Sequence, residues 1–149
     1  MTQDIDPKTR MHSAEHILNQ TMVRMFDCGR CFSAHIEKKK SKCDYRFDRP
    51  LSGKELEEIE TRVNGIIASN LPVETAFISK DEARITFNLE RLPGEAGDTL
   101  RVVRMGDYDA VPCVGDHVTT TGQIGSFRII SSSFDGSVLR IRYKLDKPA

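Results

Sequence analysis

PKTRMHSAEHILNQTMVRMF, residues 7–26, is the stretch on which the fold turns. Pro7 suits the first turn of a helix, where its missing N–H costs nothing. Met11, Ala14, Leu18, Met22 and Met25 then recur at spacings of three and four, which lays one apolar stripe along a helix. Gly29 and its polar neighbours are expected to stop it. Outward from this helix, strands are expected over residues 31–37 and 43–48, joined by the turn Lys38-Lys39-Lys40-Ser41-Lys42. A second helix is announced by Ser52 and Glu55, the two ends of a capping box. Leu56, Ile59, Val63, Ile66 and Ile67 follow at helical spacing, and Pro72 lies beyond its end. A strand over 73–79, a short helix near 80–87 and a loop at 93–98 come next. Strands then dominate: 100–105, a segment approaching Pro112, 126–132, and 138–145, the last with alternating Leu139, Ile141, Tyr143 and Leu145. Asp135-Gly136 between the last two reads as a hairpin turn. Two main helices beside a mostly antiparallel sheet make an α+β domain.

The 149 residues show no repeat, low-complexity tract or Gly/Ser linker, so a single domain over residues 1–149 is expected. No apolar run approaches the ~18–20 residues of a bilayer span. The first residues carry neither a cationic start nor an apolar segment, so a secretory leader is not expected and a cytoplasmic location is. In a reducing compartment the four cysteines read as thiols or metal ligands rather than bridges. Lys and Arg number 22 and Asp and Glu 22, which argues against coating nucleic acid through a global field. Charge is nevertheless uneven. Lys38, Lys39, Lys40, Lys42 and Arg46 face only Asp44 over that stretch, the last strand carries Arg140, Arg142 and Lys144, and the second helix is acidic. The lysine turn is either a solvated hairpin tip or a local phosphate-binding patch.

Two short patterns carry chemistry. His12 and His16 are four apart, so on a helix both imidazoles reach one point and can present two nitrogen ligands. The same spacing also fits two solvated histidines. The zinc-protease pattern is absent, because Ser13 rather than Glu follows the first histidine. Cys113-Val114-Gly115-Asp116-His117 offers a thiolate and an imidazole across a tight Gly115 turn, a metal half-site or a strand-end cysteine beside an exposed histidine. Taken together the halves supply four zinc donors: His12, His16, Cys113 and His117. Cys28-Gly29-Arg30-Cys31 is a rival, but a zinc ribbon needs a second pair and only Cys43 lies nearby. A thioredoxin-like dithiol needs the pair between a strand and a helix, whereas here it follows a helix and enters a strand, so it reads as two thiols outside a metal or redox site. His35, on a strand, reads as a pocket or surface histidine.

The two half-sites, in this order and followed by Thr119-Thr120-Thr121-Gly122-Gln123-Ile124-Gly125, resemble the editing domain (the second additional domain) of alanyl- and threonyl-tRNA synthetases and its short free-standing AlaX-type relatives. The segments 10–18, 45–48 and the capped helix from Ser52 agree with it. The resemblance implies a deacylase that hydrolyses the ester between serine, sometimes glycine, and the tRNA for alanine. It implies zinc held by His12, His16 and Cys113, with His117 as fourth ligand or beside a fourth-position water. Ser33 falls where the family places a hydroxyl in the amino-acid pocket. Thr119, Thr120, Thr121 and Gln123 are candidate substrate donors, and Asp116 is placed to tune His117. The family's usual second half-site is Cys-Gly-Gly-Thr-His. Val114 and Asp116 replace Gly and Thr here, and both ligand positions are intact. Two other functions share these residues: a zinc-stabilised module that binds a tRNA end or nucleotide without hydrolysis, and a metal-dependent hydrolase of small esters.

Overall fold

The computed structural model describes residues 5–79, 81 and 99–146. The helix expected near 80–87, apart from Asp81, and the loop at 93–98 lie outside the described residues. In chain order the elements are α1 (Pro7–Phe26), β1 (Ser33–His35), β2 (Ser41–Arg46), α2 (Gly53–Ala68), β3 (Val73–Ser79), β4 (Thr99–Met105), β5 (Asp109–Pro112), a short 3-10 turn (Thr121–Ile124), β6 (Ser126–Asp135) and β7 (Val138–Asp146). The fold is α+β, and every strand pair among the described residues is antiparallel. The strands divide into two sheets rather than one, ordered β1-β2-β7-β6 and β3-β4-β5. Among the described residues no helix is long and apolar enough to cross a membrane.

α1 starts as its sequence implies, with the Asp6 carboxylate accepting from the Lys8 N–H at 2.8 Å ahead of Pro7. It ends earlier than Gly29, at Asp27, which adopts the left-handed conformation with φ 54° and donates its N–H to Val23. α2 carries the full capping box: Ser52 Oγ accepts from the Glu55 N–H, and the Glu55 carboxylate accepts from the Ser52 N–H. Both helices bury one stripe. Met11, Ile17, Leu18 and Met22 from α1 and Ile59 and Val63 from α2 meet Cys43 and Tyr45 of β2 and Leu139, Ile141 and Tyr143 of β7. The alternation along β7 sends those three inward and Arg140, Arg142 and Lys144 to the other face.

Several boundaries differ from the expectation for visible reasons. β1 begins at Ser33, not at residue 31, because the Cys31 N–H is taken by Asn19 Oδ1 of α1 at 3.2 Å instead of by β2. It stops at His35, and beyond it the Glu37 N–H donates to Ser41 Oγ and that hydroxyl donates to the Glu37 carbonyl. Lys42 is therefore a strand residue of β2, paired with His35 and Arg142, and not part of the turn. The β6–β7 turn places Gly136 and Ser137, both with positive φ (51° and 75°), between the paired Asp135 and Val138. Positive φ at both central residues matches the twist of a tight hairpin.

Candidate metal centre

His12 and His16 lie one turn apart on α1. The segment from Cys113 to His117 faces them, held by Arg101 of β4. Cys113 donates its N–H to the Arg101 carbonyl at 3.0 Å. The Arg101 guanidinium donates back to the carbonyls of Cys113 (3.2 Å) and Gly115 (2.8 Å). Gly115 has φ +113°, and a Cβ there would stand 3.1 Å from His12 Cε1, so only glycine leaves room for the imidazole.

The four expected donors converge. Cys113 Sγ lies 3.5 Å from His12 Nε2 and 3.6 Å from His117 Nε2. One donor atom from each of His12, His16, Cys113 and His117 falls within 4.8 Å of the others. A tetrahedral zinc with Zn–S of about 2.3 Å and Zn–N of about 2.0–2.1 Å separates sulfur from nitrogen by about 3.6 Å. The two sulfur–nitrogen distances match that edge, and the donor set of three imidazoles and one thiolate suits zinc.

A supporting layer orients the rings. His117 Nδ1 lies 3.0 Å from Ser13 Oγ, which also accepts the Val118 N–H at 3.1 Å. This turns His117 Nε2 toward the sulfur. His16 Nδ1 is the one buried side-chain polar atom without a hydrogen-bond partner among the described residues. It faces Asp109 Oδ2 at 3.6 Å, just beyond bonding distance. Asp109 is itself clamped by Arg30, which donates to Oδ1 at 2.7 Å and to Oδ2 at 3.3 Å, and by Gln20 at 2.9 Å. A carboxylate behind a histidine fixes its tautomer and raises its basicity as a ligand.

Electrostatics point the same way. Burial would raise the Cys113 thiol, but His117, His12 and His16 around it outweigh that and bring it down to about 4. Burial would lower His16, yet Asp109 and Cys113 hold it up at about 9. Burial lowers His117, with opposition from Cys113. Burial also disfavours the Asp109 carboxylate, but His16 and Arg30 hold it well below the usual range. A thiolate and a carboxylate flanking three imidazoles make a site that favours a cation.

The remaining expected residues are placed as follows. Ser33 is exposed on β1, opposite Asp44. Asp116 is exposed in the ligand loop. Thr121 is buried: its hydroxyl donates to the Ile66 carbonyl at 2.9 Å and accepts the Leu71 N–H at 2.8 Å, tying the loop to the end of α2. Gln123 Oε1 accepts from the N–H and hydroxyl of Thr119 and from the Thr120 N–H. Lys38 and Lys39 are exposed at the turn, whereas Lys40 and Lys42 line a 190 Å³ cavity with Arg142, Ser41, His35 and Glu37. The sequence reading missed Asp109, Arg30 and Ser13. Ser13 sits inside the histidine motif and Asp109 lies four residues before Cys113, so nearness to the candidate donors is the sequence signal for both.

The family described as threonyl and alanyl tRNA synthetase second additional domain matches residues 100–142, the span that holds Cys113 and His117. Alanine–tRNA ligase of Francisella philomiragia is 37% identical over 137 residues, 87% of this chain and 15% of that enzyme. The same enzyme from Halorhodospira halophila is 36% identical over 141 residues, 89% of this chain and 16% of the enzyme. That of Idiomarina loihiensis is 32% identical over 132 residues, 88% of this chain and 15% of the enzyme. The chain is similar to the synthetase editing domain. This editing-domain-like chain thus spans about one-sixth of the length of the ligases it matches, and its α+β architecture agrees with that likeness.

Proposed function

We propose that this chain is a zinc-dependent aminoacyl-tRNA deacylase that removes serine from mischarged tRNA(Ala), with glycine as a further candidate. The convergence of His12, His16, Cys113 and His117 on one point, in a chain similar to a synthetase editing domain, carries the reading. Zinc bound there supplies positive charge that polarises an ester carbonyl or shapes the pocket that receives it. An aminoacyl ester is already activated, so placement of the ester and of a water accounts for much of the work. Ser33, Asp116, Thr119, Thr120 and Gln123 are the proposed substrate-facing polar groups. Thr121 contributes by holding the loop on α2. A site that hydrogen-bonds the serine hydroxyl rejects alanine, which leaves those groups unpaired. Lys38, Lys39, Lys40 and Lys42 would meet phosphates near the tRNA end.

The test is release of serine from purified Ser-tRNA(Ala), with Ala-tRNA(Ala) as control. The wild type is expected to deacylate the first and spare the second, with His16→Ala and Cys113→Ala inactive. No serine release above buffer by the zinc-loaded wild type would remove this reading. A second reading follows from the count of donors. Four protein ligands close a tetrahedral sphere, as in structural zinc, which favours a tRNA-end-binding module without turnover. Binding of tRNA(Ala) with no ester hydrolysis selects that alternative.

A further inference from the structure

Beneath the first cluster lies a second one that the proposed reaction does not use. Glu15 is on α1 between the two histidines. Cys31 precedes β1, and Cys43 is in the middle of β2. One donor atom of each lies within 4.8 Å of the other two. The Cys31 thiol donates to Glu15 Oε2 at 3.5 Å. Both cysteines are almost completely buried, at 1% and 0% exposure. Cys28, three residues before Cys31, is not part of this cluster: its thiol donates to the Met22 carbonyl at 3.6 Å.

We propose that Glu15, Cys31 and Cys43 form a second site for a thiophilic divalent cation of the zinc class, distinct from the His12/His16/Cys113/His117 centre. Two thiolates and a carboxylate are three good donors for such an ion. Their backbones are fixed independently of any ion. The Cys31 N–H is held by Asn19 Oδ1, which also accepts the Tyr45 hydroxyl at 2.7 Å, and Cys43 is locked between Ala34 and Ile141 in the sheet. Asn19 Nδ2 donates to Glu15 Oε2 at 3.3 Å, so the carboxylate is aimed before binding. Its other oxygen, Oε1, lies 3.8 Å from His12 Nε2. Glu15 thus stands between the two clusters, with one oxygen toward each. Binding exchanges thiol protons for the cation: the Cys31 and Cys43 thiols release two protons to solvent, and the divalent ion offsets two of the three negative charges of the donor set, leaving the site with one.

The experiment is metal stoichiometry on the whole chain, reduced, stripped with chelator and reloaded with Zn2+ or Co2+. We expect two equivalents in the wild type, one in Cys43→Ser, and one in the His12→Ala/His16→Ala double variant. Because a serine at position 43 sits in the core and the variant could fail to fold, the wild type is also titrated with Co2+ alone. The sulfur-to-cobalt absorption added by the two-cysteine site should be about twice that added by the one-cysteine site. Glu15→Gln should bind the second equivalent at least tenfold more weakly and weaken the first by less than that, since Glu15 supplies a donor atom to the second cluster and only neighbours His12 in the first. One equivalent in the wild type, or a Co2+ titration that ends with a single thiolate bound, overturns the proposal. These readouts do not depend on deacylation, so a chain that binds two ions yet releases no serine removes the functional reading and leaves the second site standing.

Discussion

Asp109 is the residue on which the charges behind the ligands balance. Its carboxylate faces His16, takes both terminal nitrogens of Arg30 and accepts from Gln20, with no exposure of its side chain. Removing one partner of such a buried pair leaves the other charge uncompensated, which costs about 3–5 kcal/mol. Arg30 keeps about a quarter of its side chain in solvent, so the lower end is expected, about 3 kcal/mol for Asp109→Asn at pH 7. The pH dependence has a definite sign. The folded carboxyl sits below the ordinary 3.8, so its stabilisation is present above that value and is lost as pH falls through the lower folded one. Urea denaturation of the metal-free chain between pH 7 and 3 should show the wild type losing stability below about pH 4. The gap to Asp109→Asn should narrow over the same window. Parallel curves across that range would contradict the assignment.

At the scale of elements, the ligand loop works because β5 and Gly115 deliver it at one angle. Gly115→Ala brings a Cβ to 3.1 Å from His12 Cε1 at a backbone with φ +113°. Strain of this kind costs about 1–3 kcal/mol, and part of it falls on the site. Zinc affinity measured against a chromophoric chelator should drop by about tenfold or more, since 1.4 kcal/mol is one decade. Unchanged affinity would mean that the loop yields without moving the ligands. How much of this was legible follows the range of the interactions. α1, α2 with its cap, and β7 were readable because helix periodicity, capping and strand alternation are local. The convergence of His12, His16, Cys113 and His117 was readable because each pair is local in sequence and shared donor chemistry joins the two pairs. The start of β1 was not, because it depends on Asn19 of α1 taking the Cys31 N–H across the fold. The division into two sheets depends likewise on tertiary pairing. The role of Asp109 depends on contacts as distant as Arg30 and His16, so its nearness to Cys113 in sequence marks the position but not the buried carboxylate.

For the molecule as a whole, an ion held by His12, His16, Cys113 and His117 as proposed would join α1 to the segment after β5 and so stabilise the native state by mass action. Free zinc at a hundredfold excess over its dissociation constant adds about 2.7 kcal/mol, which for a domain of this size raises Tm by about 5–10 °C. Thermal melts with zinc and with chelator should differ by at least that amount, and His16→Ala together with Cys113→Ala should remove this centre's share of the difference and leave only what the Glu15/Cys31/Cys43 site contributes. Equal melting temperatures would show that no ion links the two segments. Time enters through the separation of the ligands along the chain. His12 and Cys113 are 101 residues apart. At about 5–20 residues per second of synthesis, the first pair of imidazoles leaves the ribosome about 5–20 s before the thiolate. During that interval α1 carries two exposed ligands and no complete site. An ion at the proposed four-donor centre would therefore be a late arrival in the life of each molecule, and a chain interrupted before residue 113 would lack the thiolate and the His117 imidazole that complete that centre.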